Sequence, residues 1–204
     1  VFGDQPLPGT LVVDRYSAYN KAPCALQYCY SHLLREVEDL EKEFPENTEV
    51  QAFVGTLAPL LATAMNLRSL PISDAQFYEQ VAQVKSQIQD AVHSPAQHLG
   101  IRRIQELFHK NADRLYRWAE DRQIPADNNL AERDLRFAVI ARKVSFGSQS
   151  EAGAQTRGVL MSTLHTLRKR VQSEACASLK ATLDQLAKDS TLDPYKLLFP
   201  NDTS

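Results

Sequence analysis

Apolar residues recur at helical spacing along most of this chain, and the exceptions are two short runs near its start. Thr10-Leu11-Val12-Val13-Asp14 is apolar and β-branched, reads as a short buried strand, and ends on a carboxylate. Ala25 to Tyr30 reads as a second, weaker strand. Between Ser31 and Phe44 the leucines, Val37 and Phe44 fall on one face while Glu36, Glu38, Glu41 and Glu43 stay outside, which predicts an amphipathic helix stopped by Pro45. From about residue 47 to 122 three further stripes follow. Val50, Phe53, Val54, Leu57, Leu60 and Leu61 form the first. Phe77, Val81, Val84 and Ile88 form the second, and Ile101, Ile104, Leu107, Phe108, Leu115 and Trp118 the third. Pro71, Pro95 and Gly100 punctuate them, and nothing in this segment carries chemistry beyond a core.

A helix is expected to open near Pro125, with Leu135, Ala138 and Val139 turned inward. The glycine-containing loop Phe146 to Gly153 follows, and Ser148 with Glu151 has the spacing of a capping box for a helix through Val159, Leu160, Leu164 and Leu167. Ser173 to Leu186 predicts another amphipathic helix, and Leu192 to Phe199 a short apolar lid folding back on it. Two strands among many helices give an α/β, helix-dominated fold.

Charge alters the picture more than composition does. The net charge is −2, but between Arg133 and Arg170 eight basic residues face only Asp134 and Glu151, so the remainder is strongly acidic. That segregation suits a local phosphate-binding face, and it is equally what a solvated basic helix face would show. The three cysteines, Cys24, Cys29 and Cys176, have no framework spacing, which points to reduced thiols and a cytoplasmic protein. No apolar run in the sequence is read as a membrane span or a signal peptide. The first residue is Val1, so the chain is expected to begin inside a longer product.

The densest chemistry lies in Pro125-Ala126-Asp127-Asn128-Asn129-Leu130-Ala131-Glu132-Arg133-Asp134-Leu135-Arg136. Asn129, Glu132, Arg133 and Arg136 stand at i, i+3, i+4 and i+7 and share one helical face. A carboxylate among amides and guanidiniums suits a metal ion facing a phosphate. The bland alternative is a cap from Asp127 or Asn128 with Glu132 paired to Arg136. Asp14 carries the same ambiguity, since a strand-end acid marks a ligand site in open sheets and an aspartate before Arg15 can also cap a helix. Cys24, Cys29 and His32 offer three zinc ligands without a fourth, so a half-buried cysteine and a hydrogen-bonding histidine near the sheet are expected instead.

Three blocks in this order resemble the insertion-sequence-66 family of bacterial transposases: Asp14 to Asn20, Cys29 to Arg35, and Pro125 to Arg136 together with Arg142, Lys143 and the glycine loop. Leu192-Asp193-Pro194-Tyr195 resembles that family's ending. The resemblance implies a partial RNase H-like core with a large helical insertion, in which two aspartates and a glutamate hold two divalent metals, Mg²⁺ or Mn²⁺. Asp14 would be the second aspartate and Glu132 the glutamate, both catalytic and metal-binding. Asn129, Arg133, Arg136, Arg142 and Lys143 would bind DNA. The family's first aspartate would lie upstream of Val1, because Asp4 sits too close to Asp14 in a turn-rich lead-in. Tyr30-Ser31 and Leu33-Leu34 replace an aromatic-alanine pair and further basic residues.

On this reading residues 1–44 are a partial α/β core, 45–122 a helical insertion, 123–173 the glutamate-bearing helix and basic segment, and 174–204 a helix and tail. The implied function is DNA transposition, with transposon ends and target DNA as partners, a homo-oligomer in the active complex, and no membrane. The isolated fragment would cleave little and would tend to self-associate through uncovered strand edges. The competing function is a non-catalytic remnant that docks on DNA or a partner without Mg²⁺.

Overall fold

The computed structural model describes residues 5–200, so Gly3 and Asp4 of the lead-in lie outside the described residues. The chain divides into two compact units, Val1–Asp134 and Leu135–Ser204.

In the first unit β1 (Thr10–Val13) and β2 (Ala25–Tyr28) pair in parallel, with Thr10 opposite Ala25 and Val13 opposite Tyr28. Their connection contains a single 3-10 turn, Ser17–Lys21. Leu26, Gln27 and Tyr28 are all buried, as expected of a strand covered on both faces. Helices α1 (Tyr30–Glu43), α2 (Thr48–Leu67), α3 (Asp74–His93) and α4 (Leu99–Lys110) follow, then the short α5 (Ala112–Leu115) and a 3-10 turn at Arg117–Ala119. Helices α2, α3 and α4 each begin where a side chain satisfies a free amide, whereas α1 follows Cys29 without a side-chain cap. Asn47 accepts from the Glu49 and Val50 N–H groups, Ser73 and Gln76 form a reciprocal capping box, and His98 accepts from Gly100 N–H.

The stripes of the sequence become one core. Val37, Val54, Leu57, Leu61, Phe77, Ile88, Ile101, Phe108 and Trp118 are buried together in it. One expectation needs correcting here, because α2 is long and apolar enough to cross a membrane. Val50, Val54, Leu57, Leu61, Ala64 and Leu67 are buried in the core of this unit, so packing against α1 and α3 accounts for its composition.

Gln27 ties the sheet to the helices. Its Nε2 donates to the Leu115 carbonyl at 3.3 Å, and its Oε1 accepts from Trp118 N–H at 3.0 Å. Tyr30 donates its hydroxyl to the same Leu115 carbonyl at 2.6 Å. Burial holds that hydroxyl well above the usual tyrosine range.

Helix α6 (Asn129–Val144) crosses the division between the units. The second unit continues with α7 (Glu151–Val171), α8 (Ala175–Lys188) and α9 (Pro194–Leu198). The cap of α7 is Ser150, whose hydroxyl accepts from Gly153 N–H at 3.1 Å, rather than Ser148. A capping side chain belongs to the residue directly before the first helical one and reaches the amide two or three positions on, which Ser150 does and Ser148 does not. Asp193 caps α9 and Pro194 starts it. The tail does fold back, and Phe199 is buried with Leu167 and Ala175.

Leu135 and Val139 do not turn inward. They are exposed, as are Ile140, Val144, Val159 and Leu160, and no residue of α6 is buried. The small core of the second unit is built from Leu167, Ala175 and Phe199, so the apolar spacing of α6 marks a face without using it.

Candidate active site

The two carboxylates singled out in the sequence lie in the same unit, at the ends of elements held together by a chain of hydrogen bonds. Asp14 directly follows β1. The Val13 carbonyl accepts from Cys29 N–H at 2.8 Å, the Cys29 sulfur accepts from Asn128 N–H at 3.4 Å, and the Asn128 carbonyl accepts from Glu132 N–H at 3.0 Å. A parallel link runs from Tyr30 N–H to the Ala126 carbonyl at 2.8 Å. The segment before α6 is thus fastened to the junction of β2 and α1, nearly one hundred residues earlier in the chain. Both strands end at this junction, and α1 and α6 both begin there.

The local sequence explains each placement. Asp14 is half-buried and its Oδ1 accepts from Tyr16 N–H at 3.1 Å, an Asx turn that bends the chain out of the strand. Asp127 Oδ1 accepts from Asn129 N–H at 2.9 Å, which turns the chain into α6 and sets Glu132 in its first turn. Glu132 Oε1 lies 3.6 Å from His32 Nε2, and both side chains are partly exposed.

Cys29 is buried, with Ser31 Oγ at 3.0 Å from its sulfur. Among the described residues, no group of three His, Cys, Asp or Glu side chains comes together to hold a metal. Sequence reasoning did not foresee that Cys29 and His32 reach the α6 segment. The Cys-x-x-His spacing was its signal, because it puts both residues on the first turn of one helix.

Whether a hard divalent cation suits this junction turns on its donors. Asp14 and Glu132 supply carboxylate oxygens, and Asn128 Oδ1 is buried without a hydrogen-bond partner. Oxygen donors of this kind fit Mg²⁺ or Mn²⁺ better than soft metals. The donors fit in kind, although Asp14, His32 and Glu132 do not close into a three-ligand cluster.

Asn129 is half-buried and Arg133 exposed in the same unit as the carboxylates. Arg136, Arg142 and Lys143 are exposed on the part of α6 that belongs to the second unit. His32 also lines a cleft of about 920 Å³ with Arg15, Arg35, His98 and Arg103 on its walls, along with Glu36, Asp39 and Glu43. Arg15 is ion-paired with Glu36.

Comparison with known proteins agrees with the sequence blocks. A sequence model described as the Transposase IS66 family matches residues 2–156. The uncharacterized protein y4jD of Sinorhizobium fredii (strain NBRC 101917 / NGR234) is 24% identical over 209 residues, covering 94% of this chain and 40% of that protein. The chain therefore spans well under half the length of this relative. No solved structure matches it.

Proposed function

Because this chain belongs to the IS66 family of transposases, we propose that it is part of a DNA transposase whose RNase H-like, DDE-type site includes Asp14 and Glu132. The observation that carries this reading is the hydrogen-bonded link from Val13 through Cys29 and Asn128 to Glu132. It brings a strand-end acid and a helix-borne acid to one junction, as a site with carboxylates on two elements requires.

Asp14 and Glu132 would hold Mg²⁺ or Mn²⁺. The chemistry such ions supply is activation of a water or 3′-hydroxyl and stabilisation of the leaving oxygen. The chain's own contribution is positional. Cys29 fixes the start of α6, His32 orients the Glu132 carboxylate, and Asn129 and Arg133 face the phosphate backbone beside it. Arg136, Arg142 and Lys143 add sequence-independent contacts to DNA. The family's remaining aspartate is assigned to no residue of this chain, so the chain alone is expected to cleave poorly and to act within a homo-oligomer.

A second reading rests on the basic Arg133–Arg170 segment, in which Arg136, Arg142 and Lys143 are exposed. It makes the protein a non-catalytic remnant that binds DNA or a partner without metal. The test is a cleavage assay on element-end DNA, using the chain expressed with the coding sequence that flanks it. Asp14→Asn and Glu132→Gln should each abolish Mg²⁺-dependent cleavage while leaving DNA binding intact. Salt-sensitive binding that ignores Mg²⁺, with no cleavage by the unmodified protein, would support the remnant.

A further inference from the structure

We propose that His93 and His109 form a bis-histidine site for a divalent late transition metal, bridging the C-terminal turns of α3 and α4. It is separate from the carboxylate junction and does not depend on the transposase reading.

The two imidazoles come from different helices, and their ring centroids lie 4.6 Å apart with the planes tilted by 37°. Both line a recess of about 400 Å³ bounded by Gln89, Val92, Phe108 and Tyr116. His93 Nδ1 is 2.6 Å from the Gln89 carbonyl. A carbonyl only accepts, so Nδ1 carries the proton and Nε2 keeps its lone pair. This is the arrangement by which metal-binding histidines are commonly oriented, with one nitrogen donating to a backbone carbonyl and the other left for the ion.

Affinity of nitrogen donors for divalent ions of the first transition row peaks at Cu²⁺, with Ni²⁺ next below it, so these two ions are the ones expected here. Imidazole donors favour these ions over Mg²⁺, and no third protein ligand joins the pair among the described residues, so water completes the shell.

The experiment is titration of the untagged chain with Cu²⁺ and Ni²⁺ in a Cys176→Ser background, which removes the exposed thiol. Both histidines are exposed, so His93→Ala and His109→Ala should leave the fold intact. One equivalent of Cu²⁺ should give an electron paramagnetic resonance spectrum with two equatorial nitrogens, reduced to one in either variant. At about a hundredfold excess over Kd the metal should raise the unfolding midpoint by roughly 5–10 °C, reversed by chelator and abolished in the double variant. Glu132→Gln should change neither result. Equal affinity and an equal spectrum in the double variant, or no binding by the parent chain, would overturn the proposal.

Discussion

His32 Nε2 stands 3.6 Å from Glu132 Oε1, although one hundred positions separate the two residues in the chain. The contact exists because Cys29 and Asn128 fasten the starts of α1 and α6 together one turn earlier. If His32 orients the Glu132 carboxylate, His32→Ala should lower metal-dependent DNA cleavage by about 10–100-fold, the usual cost of losing an outer-shell partner. DNA affinity should not change, and His32→Gln should restore part of the rate. Unchanged cleavage in His32→Ala would remove the histidine from the account.

Gln27 should be a stability determinant. It is fully buried, and replacing it with leucine leaves the Trp118 N–H without its acceptor while the Leu115 carbonyl keeps Tyr30. An unsatisfied buried amide costs about 1–3 kcal/mol, and chemical denaturation of Gln27→Leu should show a loss of that size.

Buried tyrosines should set an alkaline limit. Burial keeps the Tyr30 hydroxyl well above its ordinary range and pushes Tyr116 up to about 12. A raised folded-state value means that the contribution is fully present below the unfolded value of about 10 and is lost as pH rises through the folded one. The thermal midpoint should therefore be insensitive to these groups from about pH 7 to 9 and fall above about 10. A Tyr30→Phe, Tyr116→Phe double variant should fall less steeply. An identical decline would assign the alkaline loss to other groups.

Binding to DNA should depend on salt through the basic residues of α6. Each phosphate contact contributes a slope of about −0.9 in log affinity against log salt concentration. Replacing Arg136, Arg142 and Lys143 with alanine should flatten the slope by up to about 3 and weaken binding equally on all sequences. A selective loss on one sequence would instead mean that these residues read bases.

The hydrophobic stripes from Val50 to Trp118 were legible because burial on one helix face repeats with the helix itself. The end of β1 just before Asp14 was legible for a similar reason, since the β-branched residues stop at Val13. Gln27 was not. A polar residue in a short strand has no periodic signature, and its partners at Leu115 and Trp118 come from a distant segment. Leu135 and Val139 show the opposite limit, because spacing reveals an apolar face but not whether the chain covers it. The capping pattern misled by two residues at α7, where Ser148 and Ser150 both precede Glu151 and only the latter reaches a free amide. The junction itself could be suspected from Cys29, His32 and the Asp127–Glu132 block, but their meeting is a long-range event that no local pattern encodes.

Whether Asp14 and Glu132 share one metal site is the claim on which the functional account stands. It is tested most directly by Mn²⁺ titration of the chain in a His93→Ala, His109→Ala background, comparing Asp14→Asn, Glu132→Gln and the double variant. The account predicts that either single substitution abolishes the weak binding of the parent and that the double variant is no worse, because both carboxylates serve the same ion site. Independent, additive losses, or binding unaffected by both substitutions, would contradict it.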